Sequence, residues 1–156
     1  MTRLRFLGPD VPVVPDVPDV PRSDRVLMIR TKSISSPIDR RRDGLRILAA
    51  RFRGRGIRSS RYDVWMPSLG PSERLLRRFQ SGRMTWRQFS QEYRRELFLD
   101  GPIDARSQSI KNHGQKFTLR LIQQLGRRQP VTLMCHCAED EARCHRHELL
   151  RVLQTR

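Results

Sequence analysis

The chain has 156 residues, 37% of them hydrophobic, and a formal net charge of +16. That length fits one domain with one modest core. No apolar run approaches the roughly 18 residues of a membrane span, and the Pro/Asp-rich stretch behind Arg3 and Arg5 is not a signal-peptide core, so a cytoplasmic protein is expected. Nearly all of the base is arginine, with only Lys32, Lys111 and Lys116 as lysine. The excess of positive over negative charge points to a polyanionic partner, a nucleic acid or a phosphorylated small molecule, and not to a membrane.

Residues 1–24 stand apart. Val, Pro and Asp repeat from Pro9 to Pro21, and proline fixes φ and removes backbone donors, so a flexible, solvated arm is expected. A short strand is considered around Leu4–Leu7. The domain is read as residues 25–156. Val26-Leu27-Met28-Ile29 suits a buried strand, and Thr31 to Asp43 reads as a polar, basic loop. Asp43-Gly44 marks a turn, and Leu45 to Ala50 a second strand. The segment Arg51-Phe52-Arg53-Gly54-Arg55-Gly56 interleaves arginine, which grips phosphate or carboxylate, with glycine, which permits close backbone approach. Arg51, Arg53, Arg55 and Gly56 are therefore candidate anion-binding residues. A basic solvated turn is the competing reading.

Tyr62 to Met66 reads as a short strand. Pro71 is placed at the first position of a helix that buries Leu75, Leu76 and Phe79 beside a stripe of Arg74, Arg77 and Arg78. Thr85 and Gln88 form a capping box for the next helix, whose core stripe is Trp86, Phe89, Tyr93 and Leu97. Asp100-Gly101-Pro102 breaks it. His113 is expected on the surface. Thr118, Leu121, Ile122 and Leu125 then mark a helical face, with Gly126 as its C-terminal cap. Val131 to Cys135 is the clearest strand. Asp140 is expected to cap a last helix from Glu141 to Leu153, with Ala142, His145, Leu149, Val152 and Leu153 facing inward.

The densest chemistry lies between Cys135 and Arg146. All three cysteines fall there, which does not resemble a secreted disulfide framework. Cys135 and Cys137 share one side of a strand end, and Cys144 lies near a helix start, so the thiols can converge. Three readings stand. In the first, Cys137 or Cys144 is a nucleophile, with His145 as base or orienting group and Arg146 joining the anion site. In the second, Cys135, Cys137 and Cys144 with His145, or with His136 or His147 in its place, hold zinc, although the spacing is unlike common zinc ribbons. In the third, the thiols are buried small apolar groups. The first and third need no cofactor. The Cys137-to-Arg143 spacing matches the phosphate loop of tyrosine phosphatases, but Glu139, Asp140 and Glu141 stand where that loop needs glycines and inward N–H groups.

Several motifs in order resemble the domain-of-unknown-function 488 family (YeaO-like proteins). Asp43-Gly44-Leu45-Arg46-Ile47-Leu48 followed by Arg51 to Ile57 is similar to the family's strand and basic loop. Trp65 with Pro71-Ser72-Glu73-Arg74-Leu75, the Phe89…Tyr93…Leu97 helix, Leu133-Met134-Cys135 and Cys144-His145-Arg146 also match. Arg53 and Gly54 depart from the family's Trp-Pro, and the gap between Cys137 and Cys144 differs by about one residue. The resemblance spans roughly Arg25 to Leu153 and implies the fold and the place of a pocket. Together with the alternation of strand, turn and helix, the expectation is a single three-layer α/β domain with a short, mostly parallel central sheet flanked by helices. The site would lie at the strand ends, where Arg51–Gly56 meets Cys135–Arg146. It would bind or act on a phosphorylated or nucleic-acid ligand. The alternatives are a non-catalytic nucleic-acid-associated basic module and a structural zinc domain.

Overall fold

A computed structural model describes residues 26–102 and 111–155. The N-terminal arm, the early strand and the segment from Ile103 to Ile110 lie outside the described residues, as does the side chain of His113. The chain forms an α/β domain. Its sheet has four parallel strands in the order β1 (Ile29–Ser33), β6 (Val131–Cys135), β2 (Leu45–Leu48) and β3 (Val64–Trp65). β4 (Asp100–Pro102) and β5 (Lys111–His113) form a separate antiparallel pair. The helices are α1 (Arg40–Asp43), α2 (Glu73–Gln80), α3 (Trp86–Leu97), α4 (Lys116–Gly126) and α5 (His145–Gln154).

Strand alternation divides the core unequally. Ile29, Ile47, Val131 and Leu133 face α2 to α5 and meet Leu75, Phe89, Tyr93, Leu97, Leu119, Ile122, Leu149 and Leu153 in the main cluster. Leu48 and Met134 point to the opposite face, where Ile34 and Ala50 with the part-buried Ile57 and Tyr62 form a thin second cluster. On that face Lys32 Nζ meets both carboxylate oxygens of Asp43 at 2.9 Å, and Thr132 Oγ1 donates to Asp43 O at 2.7 Å.

Local expectations shift at five elements. β1 begins where the apolar run ends. Val26 is exposed, and the strand continues through Thr31, Lys32 and Ser33 because each has a partner outside the sheet. The rest of the segment expected as loop carries α1, capped by Asp39. Ser72, not Pro71, precedes α2, its hydroxyl accepting from Leu75 N. In α4 the buried face is Leu119, Ile122 and Gly126, while Leu121 is exposed. Gly126 is no left-handed cap: a Cβ there would come within 2.5 Å of the Ile29 side chain, so it is a packing glycine. Finally, α5 starts at His145, four residues later than expected, and Ala142 is exposed.

Two features match closely. α3 carries the reciprocal capping box of Thr85 and Gln88. Gly44 sits at φ 57° with Pro130 O only 2.0 Å from where a Cβ would stand, so the turn before β2 admits only glycine.

Candidate functional site

Because the four strands are parallel, their carboxyl ends lie along one edge, as do the segments that leave them. The segment after β6 is residues 136–144. Cys135 ends the strand with its thiol buried, and Cys144, also buried, immediately precedes α5. Their sulfurs stand 3.0 Å apart. Cys137 N donates to Cys135 Sγ at 3.3 Å. All three are free thiols, and Cys137 alone is partly exposed.

Arg146 organises this loop. It is completely buried. Its Nη1 donates to Cys137 O at 3.1 Å and approaches Cys135 Sγ at 3.6 Å. Its Nη2 donates to the carbonyls of Ala138 and Glu139, each at 2.8 Å. Among the described residues no carboxylate pairs with it, and its Nε–H has no partner. Three successive carbonyls thus converge on a cation. A trans peptide sets each N–H opposite the preceding C=O, so the N–H groups of residues 138–140 splay outward. A phosphate cradle needs the reverse polarity, and the tyrosine-phosphatase spacing has no such loop here. Glu139 turns away too, accepting from Ser33 N at 2.5 Å and Ser36 Oγ at 2.6 Å, which staples the loop to the end of β1.

The charge distribution follows from these contacts. Thiol donation from Cys135 and then Cys144, aided by the nearby His145 and Arg146, pulls the Cys137 thiol far below its ordinary value. Donation to Cys137 and burial push Cys135 upward against the lowering bond from Cys144, and donation to Cys135 and Cys137 together with burial pushes Cys144 upward. The three sulfurs titrate as one cluster, and its first negative charge sits on Cys137.

His145 Nε2–H donates to Ala49 O at 2.5 Å, which fixes the tautomer and leaves Nδ1 as acceptor. Burial lowers its basicity. Its ring meets the Tyr93 ring edge-on at 5.8 Å, and Tyr93 OH donates to Leu69 O at 2.5 Å. The aromatic stripe of α3 therefore also supports the histidine. That role is missed when Tyr93 is read only as core, and its spacing on the helix carries no signal for it.

The arginine–glycine turn does touch the cysteine loop. His136 Nε2–H donates to Phe52 O at 2.9 Å, and Gly54, at φ 81°, faces the His136 ring so closely that a Cβ would lie 2.8 Å from it. The expected anion residues separate into two groups. Arg51 donates from Nε to Pro71 O and from Nη2 to Gly70 O, each at 2.9 Å, so it anchors the approach to α2. Arg146 is likewise committed to carbonyls. Arg53 and Arg55 are exposed, and Gly56 faces open space.

A family model described as DUF488-N3a, the active DUF488-N3 subclade, matches residues 29–156. The chain belongs to the DUF488 family. No curated protein and no solved structure matches it. In this DUF488 domain the matched region runs from the first residue of β1 through α5, so it includes every strand end and all three cysteines. Cys135, Cys144 and His145 place their ligand atoms within 4.8 Å of one another. Soft thiolates with one imidazole are the donor set of a tetrahedral zinc site, and the Nε2–H bond to Ala49 O is the outer-shell contact that such a histidine makes.

Proposed function

We propose that this DUF488 domain is a thiol-dependent enzyme acting on a phosphorylated or nucleic-acid ligand, with Cys137 as its nucleophile. One observation carries the reading: of three neighbouring thiols beside a buried arginine that has no carboxylate partner among the described residues, only Cys137 reaches solvent. A buried guanidinium favours an anion close by. A thiolate on the cluster supplies it, and the thiolate is the reactive form of cysteine. The description of the matching subclade as active agrees with this assignment.

In this mechanism Cys137 Sγ forms a bond to an electrophilic centre of the ligand. The leaving group takes the electron pair of the bond that breaks, and water then releases the adduct. Arg146 holds the loop and offsets the thiolate charge, so it is a positioning residue. His145 Nδ1, left as an acceptor by the bond from Nε2 to Ala49 O, takes up a proton. Arg53 and Arg55 attract the anionic part of the ligand from the adjoining turn.

A second reading has its own support in the approach of Cys135, Cys144 and His145 to one point. There the same groups, with Cys137 as a fourth ligand, hold zinc. Alkylation of the native protein by iodoacetamide near neutral pH, read by peptide mass spectrometry, separates the two. The enzyme reading expects Cys137 to be modified at least tenfold faster than Cys135 or Cys144, with or without chelator, in a protein carrying no stoichiometric metal. Stoichiometric zinc with alkylation only after chelation overturns it in favour of metal. Equal, slow modification of all three without metal removes both.

A further inference from the structure

We infer a second anion site, away from the thiols: the concave surface along α2, which fits the phosphodiester backbone of a nucleic acid. A cavity of about 710 Å³ is lined there by Glu73, Arg74, Arg77, Arg78, Ser81 and Arg83. Four of its six lining residues are arginine, and none is apolar. Within it the charges are unequally balanced. Arg77 pairs with Glu73 one turn away, and Arg78 Nη1 meets Glu92 of α3 at 2.7 Å. Arg74 and Arg83 have no carboxylate partner among the described residues. The walls thus hold two guanidinium groups without counter-charge, kept in place by a helix and by the turn that follows it.

Packing four cations around one hollow costs electrostatic repulsion, and a polyanion removes that cost. The lining chemistry selects among polyanions. Guanidinium groups offer paired donors to phosphate oxygens. No aliphatic or aromatic residue lines the hollow, so its recognition of a partner rests on charge. Arg74, Arg77 and Arg78 lie three and four residues apart, so they project from neighbouring positions of one helix surface and suit a chain of successive phosphates better than one isolated charge. α2 also begins just after Gly70 and Pro71, whose carbonyls anchor Arg51. The inference goes beyond the thiol reading and does not require it.

The test is fluorescence anisotropy of the full chain with a labelled single-stranded oligonucleotide, titrated at several salt concentrations. Releasing counterions makes the logarithm of affinity fall with the logarithm of salt by about 0.7 per single-strand phosphate contacted. Arg74→Ala with Arg83→Ala should weaken binding at least tenfold and flatten the slope by about 1.4, for two lost contacts. Arg74→Lys with Arg83→Lys should keep most of the slope, because charge is retained. Removing the same charge elsewhere, by Arg127→Ala with Arg128→Ala, should change affinity less than about threefold. Equal losses in the two alanine pairs, or none in the groove pair, overturn the site. Equal binding of poly-glutamate overturns the nucleic-acid assignment. Anisotropy reads binding and not turnover, so failure here leaves the Cys137 reading standing, and failure of alkylation at Cys137 leaves the groove standing.

Discussion

Arg146 shows how much one side chain can organise. Its guanidinium is wholly enclosed, gathers three carbonyls and touches the Cys135 sulfur. A lysine at this position keeps the charge but offers one compact ammonium in place of a planar fork, so it cannot serve three directions at once. Arg146→Lys should therefore destabilise the fold by about 3 kcal/mol, the order expected when a buried charged network loses its geometry. A urea denaturation midpoint measures this, and a loss under about 1 kcal/mol means the loop holds itself. The convergence of Cys135 and Cys144 was legible, because a strand end and a helix start were both marked in the sequence. The role of Arg146 was not, because its partners are backbone carbonyls and any residue type supplies those. The same holds for Arg51, which reads as an anion ligand but serves Gly70 and Pro71.

Between elements, a buried carboxylate joins two helices. Glu148 of α5 is 1% exposed, accepts from Arg94 Nε of α3 at 3.0 Å, and pairs with Arg151 one turn along its own helix. Both arginines are half or more exposed, so either can rehydrate when released, but the glutamate cannot. Single Arg94→Ala or Arg151→Ala substitutions should each cost about 1 kcal/mol, because the other cation remains. The double variant strands the charge and should cost about 3 kcal/mol, more than the sum. Chemical denaturation of the four proteins gives the coupling, and strict additivity rejects the shared-carboxylate account. Legibility at this scale followed local strength. α3 was marked by its capping box and aromatic stripe, both contained within the element. β1 was misplaced because its polar half is stabilised from outside, through His147 for Thr31, Asp43 for Lys32 and Glu139 for Ser33. α5 starts late because Arg146 draws residues 137–139 into a loop around itself.

Across the molecule, the net charge of +16 makes folding a compromise with self-repulsion. Three carboxylates moderate it locally. For Asp43, burial alone would raise the carboxyl, but Lys32, the Asp39 amide and Arg30 together hold it below its ordinary value of 3.8. Arg46 holds Asp63 down, and Ser36, Ser33 and nearby cations outweigh burial at Glu139. Each group thus binds its proton less readily folded than unfolded. The stability they contribute is complete above the unfolded values of 3.8 and 4.5 and is lost as pH falls through the lower folded values. Acid also strips negative charge from a molecule already strongly positive, so repulsion grows over the same interval. The two effects respond oppositely to salt. Screening weakens the ion pairs that hold these carboxyls down, which moves acid unfolding to higher pH. Screening also relieves repulsion among some thirty cations, which moves it to lower pH. Repulsion is long-ranged and involves the whole surface, whereas the close pairs are part-buried and less exposed to counterions. Raising sodium chloride from about 0.05 to 0.5 M should therefore shift the acid midpoint, followed by circular dichroism, to lower pH. A shift upward assigns acid unfolding to the carboxylates alone. Groove binding of an oligonucleotide must weaken over the same salt range, so salt should strengthen this protein's fold while it loosens its hold on a polyanion.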